Sequence, residues 1–165
     1  MNIRQAEERD TEKFAQLIQY VESTTKFMLF GPGERKYNPE AQRKMIQAFT
    51  SEGNSTIFLA EVDSELAGYI IAKGGSAVRN KHSAYLVIGI KEEHRGKGIG
   101  TKLFEELFRW GKKIQLHRLE LTVMTDNRAG IALYKKMGFE IEGTKKDSLV
   151  VDGQYKDEYY MGKIL

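Results

Sequence analysis

Residues 84–101 read AYLVIGIKEEHRGKGIGT. The opening run, Ala84–Ile90, is continuously apolar, as expected of a strand buried on both faces. From Ile99 to Ile114 the apolar residues Leu103, Phe104, Leu107, Trp110 and Ile114 recur at helical spacing. Between strand and helix lies His94-Arg95-Gly96-Lys97-Gly98-Ile99-Gly100-Thr101. Glycines at alternate positions let the backbone bend tightly and approach a ligand with no Cβ in the way. Their N–H groups, added to the positive end of the helix dipole, make an anion site. Arg95 and Lys97 add charge and Thr101 adds a hydroxyl, so a pyrophosphate suits the cradle. The plainer reading is a bend that merely needs glycine; the strand–loop–helix setting weighs against it. Two nucleotide motifs fail on spacing. Walker A needs Ser or Thr after its Gly-Lys, and here Gly98 follows Lys97. The dinucleotide fingerprint is Gly-x-Gly-x-x-Gly, and here the pattern is Gly-x-Gly-x-Gly.

On the N-terminal side, Ile3 opens a short strand. Asp10 is placed to cap a helix whose Phe14, Leu17, Ile18 and Val21 share one face. Residues 24–38 form a loop broken by Gly31-Pro32-Gly33. Asn38-Pro39 then reads as N-cap and first helical residue of a helix to about Thr50. Thr56–Val62 and Leu66–Lys73 are strands joined by a hairpin at Asp63-Ser64-Glu65, followed by a polar connection over Gly74–His82. On the C-terminal side, Arg118–Met124 alternates as a half-buried strand should. A short helix runs from Asp126 or Asn127 to Met137 and stops at Gly138. Phe139–Lys145 and Leu149–Met161 finish the chain as strands, with Asp152-Gly153 as a hairpin turn. The order is β-α-α-β-β-β-α-β-α-β-β with one βαβ unit at 84–124, an α+β or α/β domain around a mixed sheet.

The chain has 165 residues, the length of one domain. With 41% apolar and 30% charged residues it can build a core, which excludes disorder. Twenty-six basic against 23 acidic residues leave a net charge of +3, which speaks against a dedicated nucleic-acid binder. The absence of cysteine excludes disulfides, thiolate metal sites and a cysteine nucleophile, and fits a reducing compartment. Met1–Asp10 has no apolar signal region. The longest uncharged apolar run, Ser83–Ile90, is far short of the ~20 residues that cross a bilayer. The expectation is a single domain over 1–165, cytoplasmic and not bound to membrane. No His/Asp/Glu cluster has metal-ligand spacing, and no Ser-His-Asp set stands out.

Arg95-Gly96-Lys97-Gly98-Ile99-Gly100 resembles the Arg/Gln-x-x-Gly-x-Gly/Ala motif of the GCN5-related N-acetyltransferase (GNAT) superfamily. A second block, Asn127-Arg128-Ala129-Gly130-Ile131-Ala132-Leu133-Tyr134-Lys135-Lys136-Met137-Gly138-Phe139, is similar to that superfamily's Asn-x-x-Ala-x-x-Leu-Tyr-x-x-x-Gly-Phe segment. The opening Ile3-Arg4-x-Ala6-x-x-x-Asp10 resembles the usual start of these domains, and the element order fits along the whole chain. The tail (Glu142-Gly143-Thr144-Lys145, Asp152-Gly153 and Asp157 to Met161) is similar to bacterial members with small-molecule or amino-acid acceptors. The resemblance implies a mostly antiparallel sheet of six to seven strands with about four helices, splayed at the coenzyme A site. It implies direct acetyl transfer from acetyl-CoA to a primary amine. The loop Arg95, Gly96, Lys97, Gly98, Ile99 and Gly100, with Thr101, would hold the pyrophosphate. The strand end Ile88, Gly89 and Ile90 would pair its backbone with the pantetheine. Asn127 would contact the CoA arm, and Tyr134 would protonate the departing thiolate. A homodimer through the C-terminal strands is common in the family. The alternatives are a protein N-terminal acetyltransferase of the ribosomal-protein type and a non-catalytic CoA-binding module.

An alkylammonium of pKa ~10.4 must lose a proton before it attacks a carbonyl, so a base is needed. Some N-terminal acetyltransferases carry Glu five residues before the Asn; here that position is Thr122. Glu120, on the same strand face, is the first candidate base, with a cross-strand partner for Arg118 or a lysine as its bland alternative. His82 is the second, set against a solvated loop histidine. His94 and His117 read as structural. The acceptor is expected among loop 24–38, Gly74–His82 and the C-terminal hairpin. Aromatics Phe27, Phe30, Tyr37, Tyr155 and Tyr159 would suit a small amine with an apolar body, and Arg79 could pair with its carboxylate.

Overall fold

The structure, a computed structural model, describes residues Met1–Leu165. Along the chain follow β1 (Asn2–Gln5), α1 (Thr11–Thr24), α2 (Pro39–Ser51), β2 (Thr56–Val62), β3 (Glu65–Gly74), β4 (Ser83–Ile90), α3 (Ile99–Lys113), β5 (Arg118–Met124), α4 (Arg128–Lys136), β6 (Glu140–Val151) and β7 (Gln154–Ile164). All seven strands share one sheet in the order β1-β2-β3-β4-β5-β7-β6. Every neighbouring pair is antiparallel except β4 and β5, the strands of the βαβ unit. That parallel pair touches only through Ser83↔Arg118, Ala84↔Leu119 and Tyr85↔Glu120. Beyond Tyr85 the two strands diverge, and the edge of β4 from Leu86 to Ile90 has a partner on its β3 side alone.

Local chemistry explains most element boundaries. Asp63 and Ser64 both have positive φ (49° and 68°), the backbone of a two-residue hairpin turn, so Glu65 joins the strand. Asn38 caps α2 by accepting the Ala41 N–H at 3.1 Å, with Pro39 in the first turn. Asn127 caps α4 through the Gly130 N–H at 3.0 Å. Asp10 departs from expectation: its side chain makes no cap bond to α1. It takes two hydrogen bonds from the Arg4 guanidinium (2.7 and 2.8 Å) and one from the Glu7 N–H. β6 also departs. It runs through Lys145 to Val151 across an irregularity where Asp147 has φ 48° and its N–H reaches Asp157 Oδ1 at 2.8 Å.

Two cores flank the sheet. α3 and α4 cover one face over residues such as Ile70, Leu86, Leu103, Phe104, Leu107 and Leu119. α1 and α2 cover the other over Phe14, Leu17, Val21, Ile46, Leu59 and Tyr69. The strands buried on both faces are β2 and β3, not β4. In β4 Tyr85 is 41% exposed, and Val87 and Ile88 are half-buried, because one side of this strand borders open space. No helix is long and apolar enough to cross a membrane.

Candidate active site

The diverging strands open a cleft of about 1160 Å³. Its phosphate end is built by the loop before α3. Gly96 (φ 73°) and Gly98 (φ 82°) both lie in the left-handed region. A Cβ at either would meet nothing within 4 Å, so the loop surface is open. The first turn of α3 has no acidic residue, and its N–H groups, unpaired by helix geometry, face the cradle. Arg95 leans back on the strand, donating Nε–H to the Ile90 carbonyl at 3.4 Å. Lys136 of α4 donates to Thr101 Oγ1 at 3.3 Å, which brings a second cation to the helix start. Next to the cradle comes the unpaired edge of β4, whose Ile88, Gly89 and Ile90 line the cleft. Free strand N–H and C=O groups there can pair with the amides of an extended ligand arm, as an added strand would. The donor set, the open glycines and the free edge together fit a pyrophosphate followed by a diamide arm.

Tyr134 enters from α4. Its ring packs edge-on against Phe104 (5.9 Å between centroids) and Phe139 (6.3 Å), and only 8% of the residue is exposed. The hydroxyl has no hydrogen-bond partner in the protein, and the residue lines the cleft. Burial pushes its pKa well above the ordinary tyrosine value, with the nearby Tyr85 adding to the shift. Asn127 lines the cleft as well, although its Oδ1 serves the α4 cap. Across the cleft, the Tyr85 hydroxyl and Thr122 Oγ1 share a 2.7 Å hydrogen bond.

Residues 18–139 match the acetyltransferase (GNAT) family model. The chain belongs to the GNAT acetyltransferase family. Over 107 residues, 64% of the chain, it is 33% identical to an L-amino acid N-acetyltransferase, AaaT, of Escherichia coli K12. Over 122 residues, 72% of the chain, it is 32% identical to the E. coli K12 [ribosomal protein uS5]-alanine N-acetyltransferase. The aligned segments span 66% and 62% of these relatives' own lengths. A GNAT-family acetyltransferase of Streptococcus pneumoniae superposes with a TM-score of 0.95 at 28% identity, covering 99% of this chain and 98% of that one. The seven-stranded, mostly antiparallel sheet with four helices and one splayed parallel pair is the GNAT fold.

The GNAT cleft gathers Ile88, Gly89, Ile90, Arg95, Gly96, Gly98, Ile99, Gly100, Thr101, Asn127 and Tyr134; Lys97 is not among its lining residues. Both candidate bases lie outside it. Glu120 is held by Arg118 Nε at 3.0 Å, and Arg118 also grips Glu142, in a neighbouring shallow hollow. This cross-strand ion cluster keeps the Glu120 carboxylate paired. His82 is exposed at the start of β4, the paired end, while the cleft opens at the strand's other end. Its carbonyl accepts the N–H groups of His117 and Arg118. His94 does line the cleft, beside the cradle. Of the residues expected around the acceptor, Phe27, Phe30 and Tyr37 line the cleft, but Gly74–His82, and with it Arg79, does not. From the C-terminal hairpin the lining aromatic is Tyr160 rather than Tyr155 or Tyr159. Tyr155 is exposed, and Tyr159 packs on the α3 core. Residues that sequence reading missed are Lys136 and Glu158. Glu158 lines the cleft half-buried, accepts the Ser148 hydroxyl and has no ion-pair partner. No local motif marks it. It faces the cleft because β7 pairs with β5 in the register Thr122↔Tyr160 and Met124↔Glu158.

Proposed function

We propose that the protein is an acetyl-CoA-dependent N-acetyltransferase whose acceptor is the primary amine of a small molecule such as an amino acid. The observation that carries this reading is the sequence of features along one cleft: open glycine cradle, unpaired β4 edge, buried tyrosine hydroxyl. In this reading Gly96 to Thr101 hold the pyrophosphate, Lys136 and Arg95 balance its charge, and Ile88–Ile90 align the pantetheine. Glu158 takes the proton of the acceptor ammonium, directly or through one water. The freed amine bonds to the acetyl carbon as the carbon–sulfur bond breaks, and Tyr134 gives its proton to the sulfur. A phenol raised above its ordinary pKa of ~10 stays protonated throughout the working range, so it is always ready to donate. Thr122, at the position where some relatives of the resemblance carry Glu, is tied to Tyr85 and supports the wall instead of moving protons. The amino-acid acceptor is supported by the relative that acetylates L-amino acids. The uS5-alanine relative supports a second reading, a peptide N-terminus as acceptor.

The test is release of CoA thiol from acetyl-CoA across free amino acids, polyamines, aminoglycosides and short peptides. The protein has no thiol of its own, so a thiol-reactive dye reports product alone. Turnover with free amino acids is the expected result. Tyr134→Phe and Glu158→Gln should each lower kcat by about 10²-fold with the Kd for acetyl-CoA unchanged. Between pH 7 and 10 the wild-type rate should show no fall that Tyr134→Phe removes, because the raised phenol does not yet ionise. Silence across the panel from folded protein that binds acetyl-CoA would favour a non-catalytic CoA-binding module.

A further inference from the structure

The acetyltransferase reading leaves one wall of the cleft without a task, the side made by α1, α2 and the loop between them. Glu22, in the last turns of α1, is buried there. Its carboxylate meets Nη2 of Arg35, which the loop brings over it. That is the only side-chain hydrogen bond Arg35 makes, although a guanidinium carries five N–H donors. Arg35 also sits over the Phe30 ring, with Cζ 4.2 Å from the centroid. The Glu22 contact and the ring hold the guanidinium in place, and Glu22, Phe30 and Arg35 all line the cleft.

A second observation comes from α2. The side-chain nitrogen of Gln42 is buried and has no hydrogen-bond partner, and Gln42 lines the same cleft. An unpartnered buried amide is unfavourable until an acceptor reaches it. A carboxylate oxygen bound in the cleft would supply that acceptor once the carboxamide turns toward it. A third observation links this wall to the transfer point. A Cβ on Gly89 would lie 2.8 Å from the Tyr69 hydroxyl, so that hydroxyl sits against the unpaired end of β4. Burial raises the pKa of this hydroxyl most; the charge of Glu22 adds to the rise and that of Arg35 opposes it.

We propose that Arg35 and Gln42 form a carboxylate-binding subsite, oriented by Glu22, that selects acceptors bearing an acid group next to the amine, the α-amino acids. This rests on the acetyltransferase reading above and names what its acceptor must carry. The guanidinium and the carboxamide both offer N–H donors to a carboxylate, which a charge-assisted pair binds well. Glu22 against Arg35 and Lys36 leaves the lining of this wall with a net charge of +1, so it suits an acceptor that carries a carboxylate better than a polycation. Phe27 and Tyr37 supply apolar surface for the side chain. Arg35 acts on the acceptor alone and takes no part in moving the acetyl group.

Matched acceptors test this: L-phenylalanine against 2-phenylethylamine, and L-methionine against 3-(methylthio)propylamine, each followed by thiol release. The wild type should favour the acid over its decarboxylated partner by about tenfold or more in kcat/KM, mostly through KM. Arg35→Gln should bring that ratio toward one, with the Kd for acetyl-CoA unchanged. Arg35→Lys should restore part of it, since it keeps charge but not the fork. Gln42→Leu, which leaves the Glu22–Arg35 pair intact, should lower the ratio by a smaller factor and serves if Arg35→Gln does not fold. Equal use of acid and amine by the wild type, or loss of both in the same proportion in Arg35→Gln and Gln42→Leu, would overturn the subsite while leaving the acetyltransferase reading in place. No thiol release with any amine would overturn both.

Discussion

Asp10 shows how much one carboxylate can hold together. It is 3% exposed, and its oxygens receive Arg4 from β1 and the backbone of Glu7, which pins the first strand to the start of α1. Arg4 in turn reaches Glu61 on β2 at 3.4 Å. The hydrogen bonds from Arg4, more than any other influence, hold the Asp10 carboxyl below its ordinary pKa. A depressed carboxyl stabilises the fold above the unfolded value of ~3.9, and that stability is lost as pH falls through the lower folded value. Asp10→Asn should lower unfolding stability by about 2 kcal/mol at pH 7, since it removes one partner of a largely buried pair. In urea titrations the gap between wild type and variant should close as pH drops below ~4. A gap that stays constant to pH 3 would mean the charge is not what matters. Legibility also divides at this scale. The left-handed backbone at Gly96 and Gly98 is readable because glycines at alternate positions before a helix mark a tight bend. Glu158 is not, because a cross-strand register brings it to the cleft, and Tyr160 replaces Tyr159 by the same one-residue parity.

Among the elements, β4 departs furthest from what its sequence predicts. Its apolar run reads as a strand packed on both faces, and the real cause is different. One edge and part of one face are kept apolar and unpaired for the cleft. Composition cannot tell a strand that borders an open cleft from one that is covered by protein. The α2 cap and the last hairpin turn are legible because each rests on local turn chemistry, at Asn38-Pro39 and Asp152-Gly153, whereas the Asp10 cap and the end of β6 depend on partners outside the local pattern, Arg4 and Asp157. Gly89 is where β4 meets the α1 core. A Cβ there would stand 2.5 Å from Cε1 and 2.6 Å from Cζ of Tyr69. That ring is 1% exposed and abuts Phe14 at 5.4 Å, so it has no room to retreat. Gly89→Ala should therefore destabilise by about 1–3 kcal/mol, as overpacked cores do. At this chain length each kcal/mol lowers Tm by about 2–4 °C. Gly53→Ala is the control, since its added Cβ would meet nothing within 4 Å. Equal melting of the two variants would show that Tyr69 can move aside.

For the molecule as a whole, the sheet is two pieces, β1–β4 and β5–β7, sewn together by only three residue pairs between β4 and β5. Whatever else crosses the cleft governs how far it opens. The loop after α1 reaches the β6–β7 turn through Lys26 Nζ and Asp152 Oδ2, 2.6 Å apart. These side chains are 76% and 69% exposed, so the pair is a weak clasp between the loop and the hairpin, not a structural bond. Its strength should follow ionic strength, because screening at 1 M salt shortens to ~3 Å. Asp152 has φ 51°, a conformation asparagine adopts readily, so Asp152→Asn removes the charge and keeps the turn. The variant should raise the acceptor KM by about two- to fivefold at low salt, with kcat, Tm and acetyl-CoA affinity unchanged. In 1 M salt wild type and variant should converge, because screening has already released the clasp. A KM that ignores both the substitution and the salt would mean that the aromatic lining of the loop holds the cleft shut unaided. A KM that rises equally at both salt concentrations would point to the shape of the turn instead of its charge.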